Sequence, residues 1–391
     1  MKKFRNLFII SIAFICVLAL CGCKKCNKGE DVIKIGSAGP LDGEVSIYGT
    51  AVKKGVELAI EEINNAGGVN VDGKMMKFEL VDFINDGADP TKAGTALTTL
   101  VSKGADIIIG AVTSGATEGL ITKAIAEGIP VITPTGTADK LTVGEDGKDR
   151  ENRTNIFRAC FYDSYQGEYM AKYAKEAGYS KAYVLYNNDD DYSVGLKDAF
   201  EATAKAAGMS IAASGYDKSV KDFNSYWDPI LAGGYDCVYV PDYYQNVYNI
   251  LKTGYGKGYN GVCYGGDGWD GVVKQIKKGD DVSFLEKCFY TNHYFGKSDN
   301  EVVKTFVQKY AAKYNDEIPV SFAALGYDAV YIAKQAIEKA GSVDYDAVIE
   351  ALTTGTFTGL VTSSKDFQFS NGNPVKEATV ITFKDGEEIE A

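Results

Sequence analysis

The stretch ADIIIGAVTSGATEGL, residues 105–120, decides how the rest of the chain is read. Its isoleucine run is short, apolar and β-branched, the composition of a strand buried on both faces. A loop of small and hydroxylated residues follows, and the spacing beyond it predicts a helix over 114–127. A strand that ends in such a loop and re-enters as a helix is the repeating unit of an α/β sheet. Its loop places unpaired N–H groups where an anion can sit. With no lysine and no Walker spacing, it is not a nucleotide phosphate loop.

Outward from this stretch the alternation continues in both directions. VIKIGSAG (32–39) reads as a strand. Val52, Val56, Ile60 and Ile63 recur at helical spacing before Gly67 and Gly68 stop that helix. FELVDF, a helix over 90–103, and PVITPT complete a first β-α series, which implies a parallel sheet covered on both faces. A second series begins near Asp163, with strands KAYVLYN, SIAASGY, DCVYV and GVCYG and helices around 194–207, 220–231, 245–255 and 269–277. After CFYTNHY come three helices, over 301–313, 322–340 and 345–352. A strand FQFS and a hairpin in ATVITFKDGEEI, turning at Lys384-Asp385-Gly386, close the chain. The expected fold class is α/β, with two Rossmann-like lobes.

At 391 residues the chain is long enough for two domains with cores of their own, and 45% hydrophobic with 24% charged residues is a globular composition. A net charge of -12 argues against a nucleic-acid partner, because phosphate binding needs basic surface. The amino terminus reads as an export signal over residues 1–22: Lys2, Lys3 and Arg5 precede an apolar run over 7–20 that is short for a membrane span. It ends in LCGC, which is similar to a bacterial lipobox with Cys23 as the lipidated residue and 23–31 as a polar tether; Cys21 is the competing position. Two acyl chains hold a protein at a membrane where one holds only marginally, so the expected location is extracytoplasmic, anchored to the outer face of the cell membrane or on the periplasmic side.

Eight segments together carry a more specific reading: IKIGSAGPLDGEVSIYG, GGVNVDGKMMKFELVDFINDGADPTKA, IIIGAVTSGATEGL, IPVITPTGTADKLT, IFRACFYDSYQG, DYSVGL, DFNSYWDPIL and YGGDGWD. In order and spacing, from about residue 32 to the end, the chain resembles the type I solute-binding proteins of branched-chain amino-acid ABC importers. The resemblance implies a Venus-flytrap fold whose chain crosses between lobes three times, near 160–163, 290–293 and 362–365. Lobe 1 is then 32–162 with 291–363, and lobe 2 is 163–290 with 364–391. It implies an amino-acid ligand, a membrane permease and its ATPase as partners, membrane attachment through the lipid, a monomer, and neither cofactor nor metal. A flytrap sensor, or a binder of an amide or aromatic acid, remains an alternative. The family's loop disulfide is missing, since Thr113 stands at the position of its cysteine and the residues near Gly87 include none.

Ser114 begins a helix and Thr135, Gly136 and Thr137 follow the next strand, so two adjacent loops can grip a carboxylate with hydroxyls and amides. The bland reading of Ser114 is a helix cap. In the resembled family the positions of Ser114 and Thr137 contact the ligand carboxylate, an acidic residue at the position of Asp267 meets the ammonium, and aromatic walls stand at the positions of Tyr48, Tyr192 and Tyr243. Tyr244 competes with Tyr243, and Phe322 is a candidate floor. The bland reading of Asp267 is a turn aspartate between glycines. Enzyme readings lack support: His293, the single histidine, sits at an expected crossing and reads as a hinge or surface residue, and no nucleophile elbow occurs. NNDDDYSVGLKD has tyrosine where a calcium loop needs glycine. Of Cys26, Cys160, Cys237, Cys263 and Cys288, the odd five left beyond Cys23, Cys160 and Cys288 lie in the matching stretches ACFYD and KCFYT, and a bridge between them is one reading.

Overall fold

The computed structural model describes residues 32–145 and 147–391; the expected signal, the tether and Cys23 lie outside them. The isoleucine run is wholly buried at the middle of a sheet. That sheet consists of β1 (Val32–Gly39), β2 (Val69–Val71), β3 (Lys74–Asn85), β4 (Ile107–Ile109), β5 (Val131–Thr133) and β6 (Ile156–Arg158), in the order β2-β3-β1-β4-β5-β6. All neighbours are parallel except β2, which runs antiparallel to β3. The expectation of an all-parallel sheet is corrected at this edge: Asp72 and Gly73, with φ of 48° and 85°, make a two-residue hairpin turn between Val71 and Lys74.

The second sheet holds β7 (Lys181–Asn187), β8 (Ser210–Tyr216), β9 (Cys237–Tyr239), β10 (Val262–Gly265), β11 (Cys288–Asn292), β12 (Thr379–Lys384) and β13 (Glu387–Glu390), in the order β13-β12-β11-β10-β9-β7-β8. β7 to β11 are parallel, and the closing hairpin adds two antiparallel strands beside β11. The chain therefore leaves the first sheet after β6, runs through helices after β11, one of which packs back on the first half, and rejoins the second sheet at β12.

Helices cover the first sheet as α1 (Ser46–Asn65), α2 (Pro90–Ser102), α3 (Ser114–Glu127) and the short α4 (Lys140–Val143). The second series supplies α5 (Asp163–Glu176), α6 (Asp191–Ala206), α7 (Asn224–Gly233) and α8 (Tyr244–Gly256), and the return passage supplies α9 (Glu301–Lys313), α10 (Ser321–Ala340) and α11 (Tyr345–Thr354). α10 lies on α1 so closely that a Cβ on Gly55 would stand 2.0 Å from the Ala323 carbonyl oxygen. Glycine here is a packing requirement. Near the passages between sheets, buried Lys376 donates to the Ala159 carbonyl at 2.5 Å and the Thr362 hydroxyl at 2.6 Å, and Asp328 accepts from the Val361 and Thr362 amides, both at 2.8 Å. Burial pushes the Lys376 ammonium down to about 8.

Three expected elements differ. Residues 269–277 form 3-10 turns at Asp267–Trp269 and Val272–Gln275, because Gly271, at φ 100°, breaks any continuous helix. α7 begins only at Asn224, whose N–H bonds the Asp222 carboxylate at 2.9 Å. FQFS contributes only two isolated bridges, Phe357 to Phe367 and Ser370 to Asn373, and its phenylalanines pack with Phe157 and Phe357 instead of extending a ladder.

The Cys160–Cys288 bridge is not formed. Cys288 on β11 pairs in register with Cys263 on β10, while Cys160, just past β6, points its thiol at the Gly136 carbonyl at 3.3 Å. Burial pushes the Cys160 thiol up to about 12, and inert thiols are the consequence. Alkylation without reductant should leave Cys160, Cys237, Cys263 and Cys288 unlabelled in the native protein and label all four after unfolding. Mass spectrometry checks this, and a missing pair of labels would show a bridge.

Candidate functional site

A small chamber between the two sheets, with a cavity volume of about 10 Å³, is walled by Tyr48, Ser114, Thr135, Thr137, Tyr192, Tyr243 and Asp267, together with Val112, Thr113, Gly268 and Phe322. The structure thus brings together all seven residues singled out from the sequence. Phe322 joins them, and Tyr244 does not line the chamber.

One wall consists of the loops after β4 and β5. Ser114 is the first residue of α3, and its hydroxyl accepts from the Ala138 N–H at 3.1 Å, so it ties the two loops together instead of capping its own helix. The Thr135 hydroxyl donates to the Val112 carbonyl at 2.6 Å, and the Thr133 hydroxyl donates to Ala111 at 2.9 Å while accepting from Gly136 N–H at 2.9 Å. A Cβ on Gly136 would come within 2.7 Å of the Thr133 hydroxyl, so no larger residue fits the turn.

The opposite wall carries Asp267, 1% exposed, in the turn after β10. A buried carboxylate needs hydrogen-bond donors. It has three: Oδ1 accepts from Tyr192 Oη at 2.9 Å and Gln166 Nε2 at 3.0 Å, and Oδ2 lies 2.9 Å from His293 Nε2. The Asp267 N–H returns a bond to Gln166 Oε1 at 3.0 Å. A carboxylate offers about four acceptor positions, so about one stays open for a ligand donor.

His293 is neither a surface residue nor a free hinge residue; it is buried beneath the site, and its ring stacks on Phe161 at 3.7 Å. Burial lowers its pKa, opposed by Asp267, so the neutral imidazole donates from Nε2 and Nδ1 is left without a partner. The acidic run ahead of Tyr192 is a helix cap and not a calcium loop: Asp190 Oδ1 accepts from the Tyr192 and Ser193 amides at 3.0 and 3.3 Å. No group of three or more acidic, histidine or cysteine residues among those described could hold a metal.

Aromatic rings complete the enclosure. Tyr48 stacks on Phe322 at 3.9 Å, Tyr192 stacks on Tyr243 at 4.9 Å, and Tyr48 meets Tyr243 edge-on at 5.8 Å. The Tyr48 hydroxyl, carried by α1, donates to the Gly268 carbonyl at 2.5 Å and accepts from the Tyr244 N–H at 3.2 Å, so it joins the two halves of the molecule directly. A cavity with hydroxyls and amides on one wall, an acceptor carboxylate on the other and rings between them suits a small zwitterion with an apolar side chain.

A sequence model of the periplasmic binding protein family matches residues 32–388. The chain belongs to the periplasmic binding protein family. Its type I, branched-chain amino-acid branch is marked by a Leu/Ile/Val-binding protein of Rhizobium johnstonii, 31% identical over 83% of this chain and 84% of that one. Two solved structures are similar throughout. The leucine-binding protein LivK of Thermotoga maritima has a TM-score of 0.82 and 27% identity, covering 92% of this chain and 97% of its own. The branched-chain amino acid transporter substrate-binding protein LivJ of Streptococcus pneumoniae, in complex with isoleucine, has a TM-score of 0.81 and 28% identity, covering 92% and 100%.

In this periplasmic binding protein, sequence reasoning missed Gln166, Arg158 and the role of His293. The only trace of Arg158 in the sequence is an arginine ending an apolar strand, IFR. Asp163 was read only as the start of the second series. It is wholly buried, and neither carboxylate oxygen has a hydrogen-bond partner of good geometry. Burial, with Asp139 nearby, raises its pKa well above the usual carboxylate range, and the Thr137 hydroxyl and Arg158 pull it back only in part. Because the folded value lies above the unfolded one, the destabilisation is absent at acid pH and grows as pH rises through the unfolded pKa. Asp163→Asn should therefore raise the melting temperature by roughly 2 °C or more at about pH 7, with the gain shrinking toward zero at about pH 4. Calorimetry at the two pH values checks it.

Proposed function

We propose that this protein captures an α-amino acid with an apolar side chain, of the leucine, isoleucine and valine class, between two lobes and delivers it to an ABC importer. The observation that carries the reading is the opposition of a neutral polar wall to a buried carboxylate across one chamber. Ser114, Thr135 and Thr137 line the wall where a carboxylate would sit, and Asp267 keeps an acceptor position for an ammonium. An amino acid is the smallest ligand that satisfies both walls at once. By bridging them it favours the closed form that a permease recognises. The binding specificities of the relatives support the same ligand class. The lobes are 32–162 with 293–363 and 163–292 with 364–391, the expected boundary at 290 moving to 292 because β11 runs to Asn292, and they turn about the passages where Phe161, His293 and Thr362 lie.

Calorimetric titration with L-leucine, L-valine and benzoate tests the proposal. The wild type should bind an aliphatic amino acid more tightly than benzoate, and Asp267→Asn should weaken that binding at least tenfold, about 1.4 kcal/mol. The variant should still fold, because His293 can switch tautomer and accept from the new amide. Thr137→Val should weaken binding by removing one hydroxyl while nearly conserving volume. A wild type that prefers benzoate overturns the ammonium assignment.

The lipobox similarity adds a location. The protein is carried outside the cytoplasm and held by a diacylated Cys23, in keeping with an extracytoplasmic family and with the absence, among the described residues, of any helix long and apolar enough to cross a membrane. Cys23→Ala should release the protein from membranes or leave its precursor uncleaved; unchanged lipid labelling of the variant would count against this anchor.

A further inference from the structure

Behind the loop that carries Thr135 and Thr137 lies Arg158, the last residue of β6, with its side chain wholly buried. A buried guanidinium ordinarily meets a carboxylate. Here every hydrogen bond of its Nη groups goes to an uncharged oxygen. Nη1 donates to the carbonyls of Gly136 at 3.1 Å and Thr137 at 2.7 Å. Nη2 donates to the carbonyls of Ala138 at 2.9 Å and Asp139 at 3.4 Å and to the Thr142 hydroxyl at 3.2 Å. The acid whose field reaches it, Asp163, is held toward its neutral form by burial. A second guanidinium nearby, Arg150, likewise donates only to carbonyls, those of Arg153, Thr154 and Ile156, and is lowered to about 10 by burial and then by the charge of Arg158. The guanidinium groups behind this loop are thus held by neutral oxygens, and the nearest ionised acid, Asp139, spends its carboxylate on the Ser164 N–H and hydroxyl.

The geometry of the loop directs that charge forward. In a trans peptide unit the N–H points opposite to the C=O. Because Arg158 holds the carbonyls of Gly136 and Thr137, the N–H groups of Thr137 and Ala138 are turned away from it. For Ala138 the direction is visible, since its N–H bonds the hydroxyl of Ser114, a chamber wall residue. We propose that Arg158 is the positioning residue of the carboxylate site. Its grip on the carbonyls of residues 136–139 orients the loop's donors toward the chamber, and a ligand carboxylate is the counter-ion that the chain itself does not supply. The inference rests on the amino-acid reading of the chamber.

A purely structural arginine and an electrostatic one differ in a measurable way. If Arg158 only shapes the loop, its loss weakens a ligand with a carboxylate and the matching amide alike; if its charge is felt at the site, the loss falls on the carboxylate. The probes are L-leucine and L-leucinamide, titrated into the wild type, Arg158→Met and Arg158→Lys. Arg158→Met should lower the affinity for L-leucine at least tenfold and that for L-leucinamide by less than threefold, and Arg158→Lys should restore part of the preference for the acid. Equal losses for both probes overturn the proposal. A wild-type measurement covers the case in which the variants do not fold. The chain has four arginines, Arg5, Arg150, Arg153 and Arg158, so the Arg158 side-chain Nε–H resonance can be assigned with Arg150→Lys and Arg153→Lys. L-Leucine should shift it and L-leucinamide should leave it nearly in place; equal shifts, or none with L-leucine bound, overturn the proposal. A wild type that binds neither probe overturns the amino-acid reading itself, and the role of Arg158 falls with it.

Discussion

A carboxylate buried between the two sheets has to be satisfied by donors, and that demand at Asp267 organises the middle of the molecule. Its partners come from α5, α6 and the end of β11, so one charge fixes the side-chain directions of Gln166, Tyr192 and His293 together. Gln166 extends the network to Thr291 on β11 at 2.9 Å, and Tyr192 accepts from the Gly268 N–H at 2.7 Å. Leaving one of these groups unpaired in such a setting costs about 1–3 kcal/mol, so the wall of the chamber is rigid before any ligand arrives.

The other wall is built on the opposite principle. Its loops contribute neutral hydroxyls and amides, and its charge is set back behind the backbone. The two walls meet through aromatic faces, the Tyr48 hydroxyl and the Thr137 carbonyl, which accepts from the Asp163 N–H at 3.0 Å. Each neutral tie of this kind is worth about 0.5–1.5 kcal/mol net, and a ligand that bridges both walls adds to them in the closed form.

Both sheets were legible in the sequence because their strands are short apolar runs bounded by turn residues; Ser114, Thr135 and Thr137 were legible because strand-end loops are where such sheets bind ligands, while Tyr48, Tyr192, Tyr243 and Asp267 were picked out by the family resemblance. The Asp385-Gly386 hairpin could be read from its turn chemistry alone. The residues that hold the site were hidden because their meaning lies in partners distant along the chain: Asp267 is 101 positions from Gln166, and Arg158 serves a loop some 20 positions earlier. The helix read over 269–277 failed because apolar spacing ignored Gly271, and the matching cysteine stretches misled because Cys288 has its neighbour within its own sheet. His293 looked peripheral only because sequence position at a crossing says nothing about burial.

The closing hairpin leaves β13 as the free edge of the second sheet, with the sequence EEIE. Glu387 and Glu390 are exposed, while Glu388 turns inward to accept from the Tyr290 hydroxyl at 2.9 Å. An unpaired edge is a template for another strand, and like charges placed opposite one another in an antiparallel ladder repel. Two copies approaching along this edge bring glutamate against glutamate, so the last strand of the chain guards the sheet against its own duplicate.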